Sequence, residues 1–352
     1  MNRLLTLLIP ISFALIVGAC SSVDEEPPEE EGEPALRDLA QARGLMFGAA
    51  ADAPQINANP QYRVTLAREF GALTPENELK FGPLRPSRVT FSWDNADALV
   101  TFAENSGMKV RGHTLVWHQQ NPFWLTSGSF TRAQLMSILE EHIKAVVGRY
   151  RGRIGKWDVV NEGIADNGSM RQSLWFERIG PEYIELAFQW AHEADPDALL
   201  YYNDYSAEGS GAKSNAVFNL VSDLKNRGVP IHGVGMQMHV STDFFPGAAD
   251  VAGNMQRLAA AGFLVDITEM DVRILLPASS GELAVQGEIY RTMVDVCLDA
   301  PNCMSFTVWG VTDAHSWIPG FFPGFGAGLL FDENYATKLA YSRIRDLLSG
   351  LN

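Results

Sequence analysis

The sequence predicts an α/β chain whose folded body is a single (β/α)8 barrel. Three observations carry that prediction. Eight strand-like runs alternate with longer helical patterns from Leu45 onward. Several helical stretches stop near a glycine, at Gly107, Gly228 and Gly262, as left-handed termination requires. Polar and aromatic residues collect at the C-terminal end of nearly every run, the end where barrel active sites lie. A doubly wound open sheet is the competing architecture. It fits less well, because no Gly-rich phosphate loop follows the first run and the count reaches eight.

In chain order the runs are LMFGAA, FGALTPENE, KVRGHTLVWH, KWDVVNE, ALLYYND, GVGMQMHV, LVDITEMD and MSFTVWG. Helical periodicity lies between them, at 94–106, 132–150, 181–194, 214–227, 251–260 and 282–297. The second run is followed by Glu76, Asn77 and Lys80, and the third carries His113, Trp117 and His118. The fourth ends in Asn161 and Glu162, the fifth in Asn203 and Asp204, the sixth in Gln237 and His239. The seventh ends in Glu269 and Asp271, the eighth in Trp309. Polar groups that only served stability would not segregate to one end of the strands. Burying a carboxamide and a carboxylate costs free energy unless they are paired, so an Asn-Glu strand end asks for a purpose.

The 352 residues include eight tryptophans, more than a core of this size needs, which points to an aromatic-lined cleft. The net charge of −15 offers no basic stripe for phosphates and excludes a nucleic-acid partner. Part of that acidity is local. Residues 21–34 carry −7, whereas 35–352 carry 26 bases and 35 acids.

The chain opens with MNRLLTLLIPISFALIVGAC, one positive charge, an apolar run interrupted by Pro10, and small residues before Cys20. Residues 1–19 read as an export signal. VGAC resembles a bacterial lipobox, which implies cleavage before Cys20 and its acylation; the alternative is an ordinary secretory signal with an incidental cysteine. Ser21 and Ser22, with no Asp after the cysteine, favour outer-membrane sorting by analogy. Residues 20–36, with VDEEPPEEEGEP at their centre, are too acidic and proline-rich to fold, and read as a disordered tether to a catalytic body at 37–352. The expected location is therefore outside the cytoplasm, on a lipid anchor facing the periplasm or the cell surface. Cys297 and Cys303 flank a proline-containing turn and are read as a disulfide in that oxidising setting. No His or further Cys completes a metal set, so neither metal nor cofactor is expected.

Glu162 and Glu269 end strands that face each other across a barrel mouth. Two opposed carboxylates suit glycosidic cleavage, one protonating the leaving oxygen while the other attacks the anomeric carbon. His239 and Asp271 beside Glu269 suit an ionised nucleophile, which leaves Glu162 as acid and later base. Lys80 and Asn77 can donate to sugar hydroxyls, and His113, Gln237 and Asn161 can address the sugar at the point of cleavage. Trp117, Trp309 and Trp317 offer flat faces for pyranose rings. Each of these tryptophans, taken alone, reads more readily as plain core packing.

At these residues the chain resembles glycoside hydrolase family ten, the retaining endo-β-1,4-xylanases. TPENELK, RGHTLVWH, WDVVNE, YYNDY, GVGMQMHV, ITEMDVRI and TVWGVTDAHSWIPG match in order, over about Leu39 to Leu348. The resemblance implies Glu162 as acid/base, Glu269 as nucleophile and His239 with Asp271 as its supports. It implies Glu76, Asn77, Lys80 and Trp117 on the glycone side, Asn161 and His113 at the cleaved sugar, and Gln237, Trp309 and Trp317 around the centre. Asn203 joins the substrate-binding set. It also implies a cis peptide at His113–Thr114 and a Cys297–Cys303 disulfide. Xylan and xylooligosaccharides are the implied partners, and a monomer is the expected form. The chain departs from the family at Phe81 and Gly82, where a tryptophan and an acid are usual, and at Phe325 in the loop over the cleft. No separate carbohydrate-binding module is expected after Asn352. The remaining alternatives are a glycosidase for another β-linked glycan or short oligosaccharides, and a non-catalytic glycan-binding lipoprotein.

Overall fold

The computed structural model describes residues 33–351. The expected signal, Cys20 and the acidic stretch up to residue 32 lie outside the described residues. Packing begins at Ala35: Leu36 is buried, opens a helix at Leu36–Ala42, and donates its backbone N–H to the Glu69 carboxylate at 3.1 Å. The packed body thus starts two residues ahead of the expected boundary at 37.

Ten strands follow: β1 Met46–Ala51, β2 Ala72–Pro75, β3 Lys109–Val116, β4 Ile154–Asn161, β5 Leu199–Asp204, β6 Gly233–Met236, β7 His239–Ser241, β8 Leu264–Leu275, β9 Cys303–Val308 and β10 Phe325–Gly326. Eight of them, all but β7 and β10, pair in parallel in the order β1-β2-β3-β4-β5-β6-β8-β9. β9 pairs back onto β1, with Met46 opposite Ser305, so the sheet closes. The closed cylinder with helices between its strands is the expected (β/α)8 barrel. The sixth run is split, because Met238 takes a φ of +65° between β6 and β7, and β7 continues alongside β8. β10 adds two antiparallel residues to the outer end of β8.

The helices fall where the periodicity puts them, within a few residues. Two start on capping boxes, Thr131 with Gln134 ahead of Arg132–Arg149 and Ser279 with Glu282 ahead of Ser280–Asp299. Gly107, Gly228 and Gly262 all have φ between +64° and +80°, in the left-handed region. The helices Pro60–Glu69 and Leu339–Ser349 were not read from the sequence.

The lower half of the barrel interior holds ions rather than an apolar layer. Arg111 on β3 forks onto Asp158 of β4, with Nε–Oδ2 at 3.0 Å and Nη2–Oδ1 at 2.5 Å. Its Nη1 reaches Asp266 of β8 at 2.7 Å, and Lys156 closes on the same carboxylate at 2.9 Å. β3 and β8 are not neighbours, so this contact crosses the interior. Gly112, between the two inward residues Arg111 and His113, is required by packing: a Cβ there would lie 2.1 Å from Trp157.

Candidate active site

The strand ends open on one cavity of about 520 Å³. Glu76, Asn77, Lys80, His113, Trp117, Asn161, Glu162, Gln237, His239, Glu269, Trp309 and Trp317 all line it. The strand-end reading therefore brings its site residues together, with two exceptions. Asn203 and Asp271 have no exposed surface and stand behind the wall. For Asn203 this corrects the expectation of sugar contact. Its amide hydrogens go to Asn161 Oδ1 at 2.9 Å and Glu269 Oε1 at 2.6 Å, and its oxygen accepts from Thr268 Oγ1 at 2.8 Å. Nothing is left to offer a ligand.

Glu162 follows the last residue of β4 with φ +57°, a conformation that side-chain-bearing residues rarely adopt and that costs of order 1–3 kcal/mol. Its Oε1 accepts from Asn161 Nδ2 at 3.2 Å and Gln237 Nε2 at 3.1 Å, and His118 Nδ1 lies 3.5 Å from Oε2. Burial holds the His118 imidazole below its ordinary pKa, against the pull of Glu162.

Glu269 is set into the wall differently. A register shift between Ile267 and Met270 breaks the alternation of β8. Asp266 and Glu269, an odd number of positions apart, therefore both face inward. Glu269 Oε2 meets His239 Nε2 at 3.2 Å, and His113 Nδ1 is 3.8 Å from Oε1. Burial alone would raise this carboxyl. The two imidazoles outweigh it and hold Glu269 below the usual carboxylate range. His239 is backed by Asp271, Nδ1 to Oδ2 at 2.8 Å, and Trp317 Nε1 donates to the same oxygen at 2.7 Å. Burial opposes charge on His239 too, but Asp271 and Glu269 lift it to about 10.

At the β2–β3 side, burial pushes Glu76 up to about 7 despite Lys80. Lys80 in turn is lowered by burial, against the pull of Glu269 and Glu76, and sits 4.7 Å over the Trp117 ring. His113–Thr114 is a cis peptide. His113 Nδ1 meets Asp158 at 3.0 Å, which ties the cavity to the ions below it. Phe81 fills its place by stacking on buried His142, ring centroids 3.7 Å apart, and Gly82 has no room for a side chain under the Gln120 carbonyl. These two departures lie behind the cavity rather than in it.

The sequence matches the family described as Glycosyl hydrolase family 10 over residues 35–347. The chain belongs to that family. Among its family 10 relatives is endo-1,4-beta-xylanase B of Thermotoga neapolitana, 42% identical over 345 residues, 97% of each chain. The endo-1,4-beta-xylanase of Agaricus bisporus is 42% identical over 302 residues, 85% of this chain and 90% of its own. Xylanase 10B from Thermotoga petrophila RKU-1, solved in complex with xylobiose, superposes with a TM-score of 0.88 at 45% identity, covering 90% of this chain and 97% of the other. Native xylanase 10B from Thermotoga maritima gives the same score and identity, covering 90% and 98%.

The family 10 cavity also takes residues that strand periodicity did not offer. Arg171, Tyr205, Phe244 and Phe322 reach it from loops, and Phe321 from the end of the short helix Ile318–Phe321. Arg273 was within reach of the pattern, since it follows Glu269 and Asp271 at alternate positions on β8. The disulfide expected in the body is present, with Cys297 and Cys303 Cα atoms 5.3 Å apart.

Proposed function

We propose that this family 10 chain hydrolyses internal β-1,4-xylosidic bonds of xylan with net retention at the anomeric carbon. The observation that carries the reading is the pair of carboxylates on one cavity, each with its own surroundings: Glu269 between two imidazoles and Glu162 among amides.

In the first step a Glu269 oxygen attacks the anomeric carbon while Glu162 gives its proton to the leaving glycosidic oxygen, whose bond to carbon breaks. In the second, water attacks that carbon, Glu162 takes its proton, and the bond to Glu269 breaks. His239, carrying charge through Asp271, and the Asn203 amide keep Glu269 anionic and aimed. Asn161 is placed to meet the hydroxyl next to the reacting carbon, and His113 and Gln237 to meet the same sugar. Glu76, Asn77, Lys80 and Trp117 hold the sugars on the retained side, with Trp309 and Trp317 flanking the centre. All these groups come from one chain, so a monomer suffices. The names of the relatives, xylanases throughout, support xylan as the substrate.

The same reading extends to the leader: Cys20 carries lipid, and residues 20–36 tether the barrel outside the cytoplasm.

Proton NMR of the first turnover on xylotetraose tests the mechanism. The β-anomer of the new reducing end should form first and mutarotate later. Initial appearance of the α-anomer would require inversion and a different role for Glu269.

A further inference from the structure

Glu208 is a buried carboxyl group that the mechanism above leaves without a task. It follows β5 on the loop that carries Tyr205 and Ser206 to the cavity, and it stands behind the wall rather than in it. Burying such a group costs free energy unless hydrogen bonds repay it, so its partners say what it is for.

The partners lie at a gap in the sheet. β6 ends at Met236, opposite Ile267 of β8, and β7 begins at His239, opposite Asp271. Gln237, in the gap, still has strand-like partners: its N–H donates to Asp204 O at 3.0 Å, and its carbonyl accepts from Glu269 N at 3.0 Å. Met238 turns away with φ +65° and has no exposed surface, so its N–H reaches neither a strand nor water. Left alone, that donor would carry its full desolvation cost. Glu208 Oε1 accepts it at 2.9 Å, and the same oxygen accepts Ser206 N, at another left-handed residue, at 3.1 Å. The loop is tied down in turn. Asn254 Nδ2 donates to the carbonyls of Ala207 at 2.8 Å and Glu208 at 3.0 Å.

Met238 separates the two residues that address the carboxylate pair. Gln237 Nε2 reaches Glu162 Oε1 at 3.1 Å, and His239 Nε2 meets Glu269 Oε2 at 3.2 Å. A single acceptor therefore holds the backbone between the partners of both. Burial raises the Glu208 carboxyl above its ordinary pKa, against the pull of the Met238 N–H and of His239. Its task does not need the charge, because a carboxyl oxygen accepts hydrogen bonds in either protonation state.

We infer that Glu208 is a positioning residue for hydrolysis: its oxygen takes the place of a neighbouring strand at Met238, and so sets Gln237 on Glu162 and His239 on Glu269. The inference rests on the xylan reading above.

The test is steady-state kinetics on xylotetraose beside urea unfolding of each variant. Glu208→Ala leaves both N–H groups without an acceptor and should lower kcat roughly 10- to 100-fold, with KM changed less than about threefold. Glu208→Gln keeps an acceptor oxygen at the same reach and should stay within about threefold of the parent kcat. Glu208→Asp, one methylene shorter, should fall between them, and it supplies the comparison should the alanine variant not fold. Parent-like kcat in folded alanine or aspartate variants, with only stability reduced, overturns the positioning role. A loss in Glu208→Gln as deep as in Glu208→Ala overturns it too; in both cases the active parent leaves the xylan reading standing. A parent protein inactive on xylotetraose overturns the xylan reading, and this role with it.

Discussion

The Asn203 amide nitrogen sits 2.6 Å from Glu269 Oε1 and turns its other hydrogen to Asn161, which in turn holds Glu162. Two carboxamides therefore link the two carboxylates. Thr268 fixes the sense of the link, because its hydroxyl donates to Asn203 Oδ1 and leaves only the nitrogen to face Glu269.

That link is exposed to attack from Gly235. A Cβ at this position would lie 2.1 Å from Asn203 Oδ1 and 2.9 Å from Thr268 Cγ2. Gly235→Ala should displace the amide and release Glu269, lowering kcat on the order of 100-fold. The overpacking itself should cost about 1–3 kcal/mol. Steady-state kinetics beside urea unfolding separates the two effects; a stability loss with kcat intact would rule out the linkage.

Removing either carboxylate should slow xylan hydrolysis, but only one loss should be recoverable in a product that shows the covalent intermediate. Glu269→Gln should reduce kcat roughly 10⁴-fold or more. Glu162→Ala with sodium azide should recover turnover and release β-xylosyl azide, since azide then attacks the glycosyl-enzyme from the face water uses. An α-azide product from Glu162→Ala would reverse the two assignments.

Ionisation at the centre sets opposite limits of stability. Glu269 is held below the ordinary glutamate value, so its contribution is present above about pH 4.3 and fades as pH falls through the lower folded value. His239 is raised to about 10, so its contribution is complete below about pH 6.5 and is lost as pH climbs toward 10. Between pH 6 and 9 the parent should therefore lose stability in urea. Asp271→Asn, less stable throughout, should show a shallower loss over that interval because His239 no longer has its main partner. An unchanged slope would remove His239 as the source.

The strand ends were legible because a barrel strand alternates, and Glu162, His239 and Glu269 sit where alternation stops. Depth was not. Asn203 reads like Asn161 at the end of its run, and only its partners from other strands, Asn161, Thr268 and Glu269, mark it as a residue behind the wall. The inward turn of both Thr268 and Glu269 depends on a bulge that a period of two does not contain. Phe244 comes from a turn and Phe321 from a four-residue helix, where strand periodicity has nothing to say. Arg111, Lys156 and Asp266 look like ordinary charges in strands, because their partners lie across the barrel and not along the chain.

The Cys297–Cys303 bridge closes a short loop at the foot of β9. Replacing both residues by serine should cost roughly 2 kcal/mol, as expected for a loop of this length, and lower the melting temperature by several degrees. Activity at 25 °C should be untouched, since the pair is remote from the cavity. Calorimetry with a parallel assay checks both halves.

If Cys20 carries lipid, Cys20→Ala should move the protein from membrane pellets to the soluble fraction without altering kcat on xylan. Retention in the pellet after carbonate washing would end the anchor proposal.

The charges beneath His113 restrict how this barrel can change over generations. Arg111, Asp158 and Asp266 lie closed to solvent, where Arg111 and Lys156 together balance the two carboxylates, and deleting one member of such a set costs about 3–5 kcal/mol. A one-letter change there strands a lone ion, whereas a matched exchange of several members keeps neutrality. Descendants of this sequence can therefore leave the arrangement only by coordinated replacement, and a selection experiment confined to single-codon steps should return the original residues at all three positions.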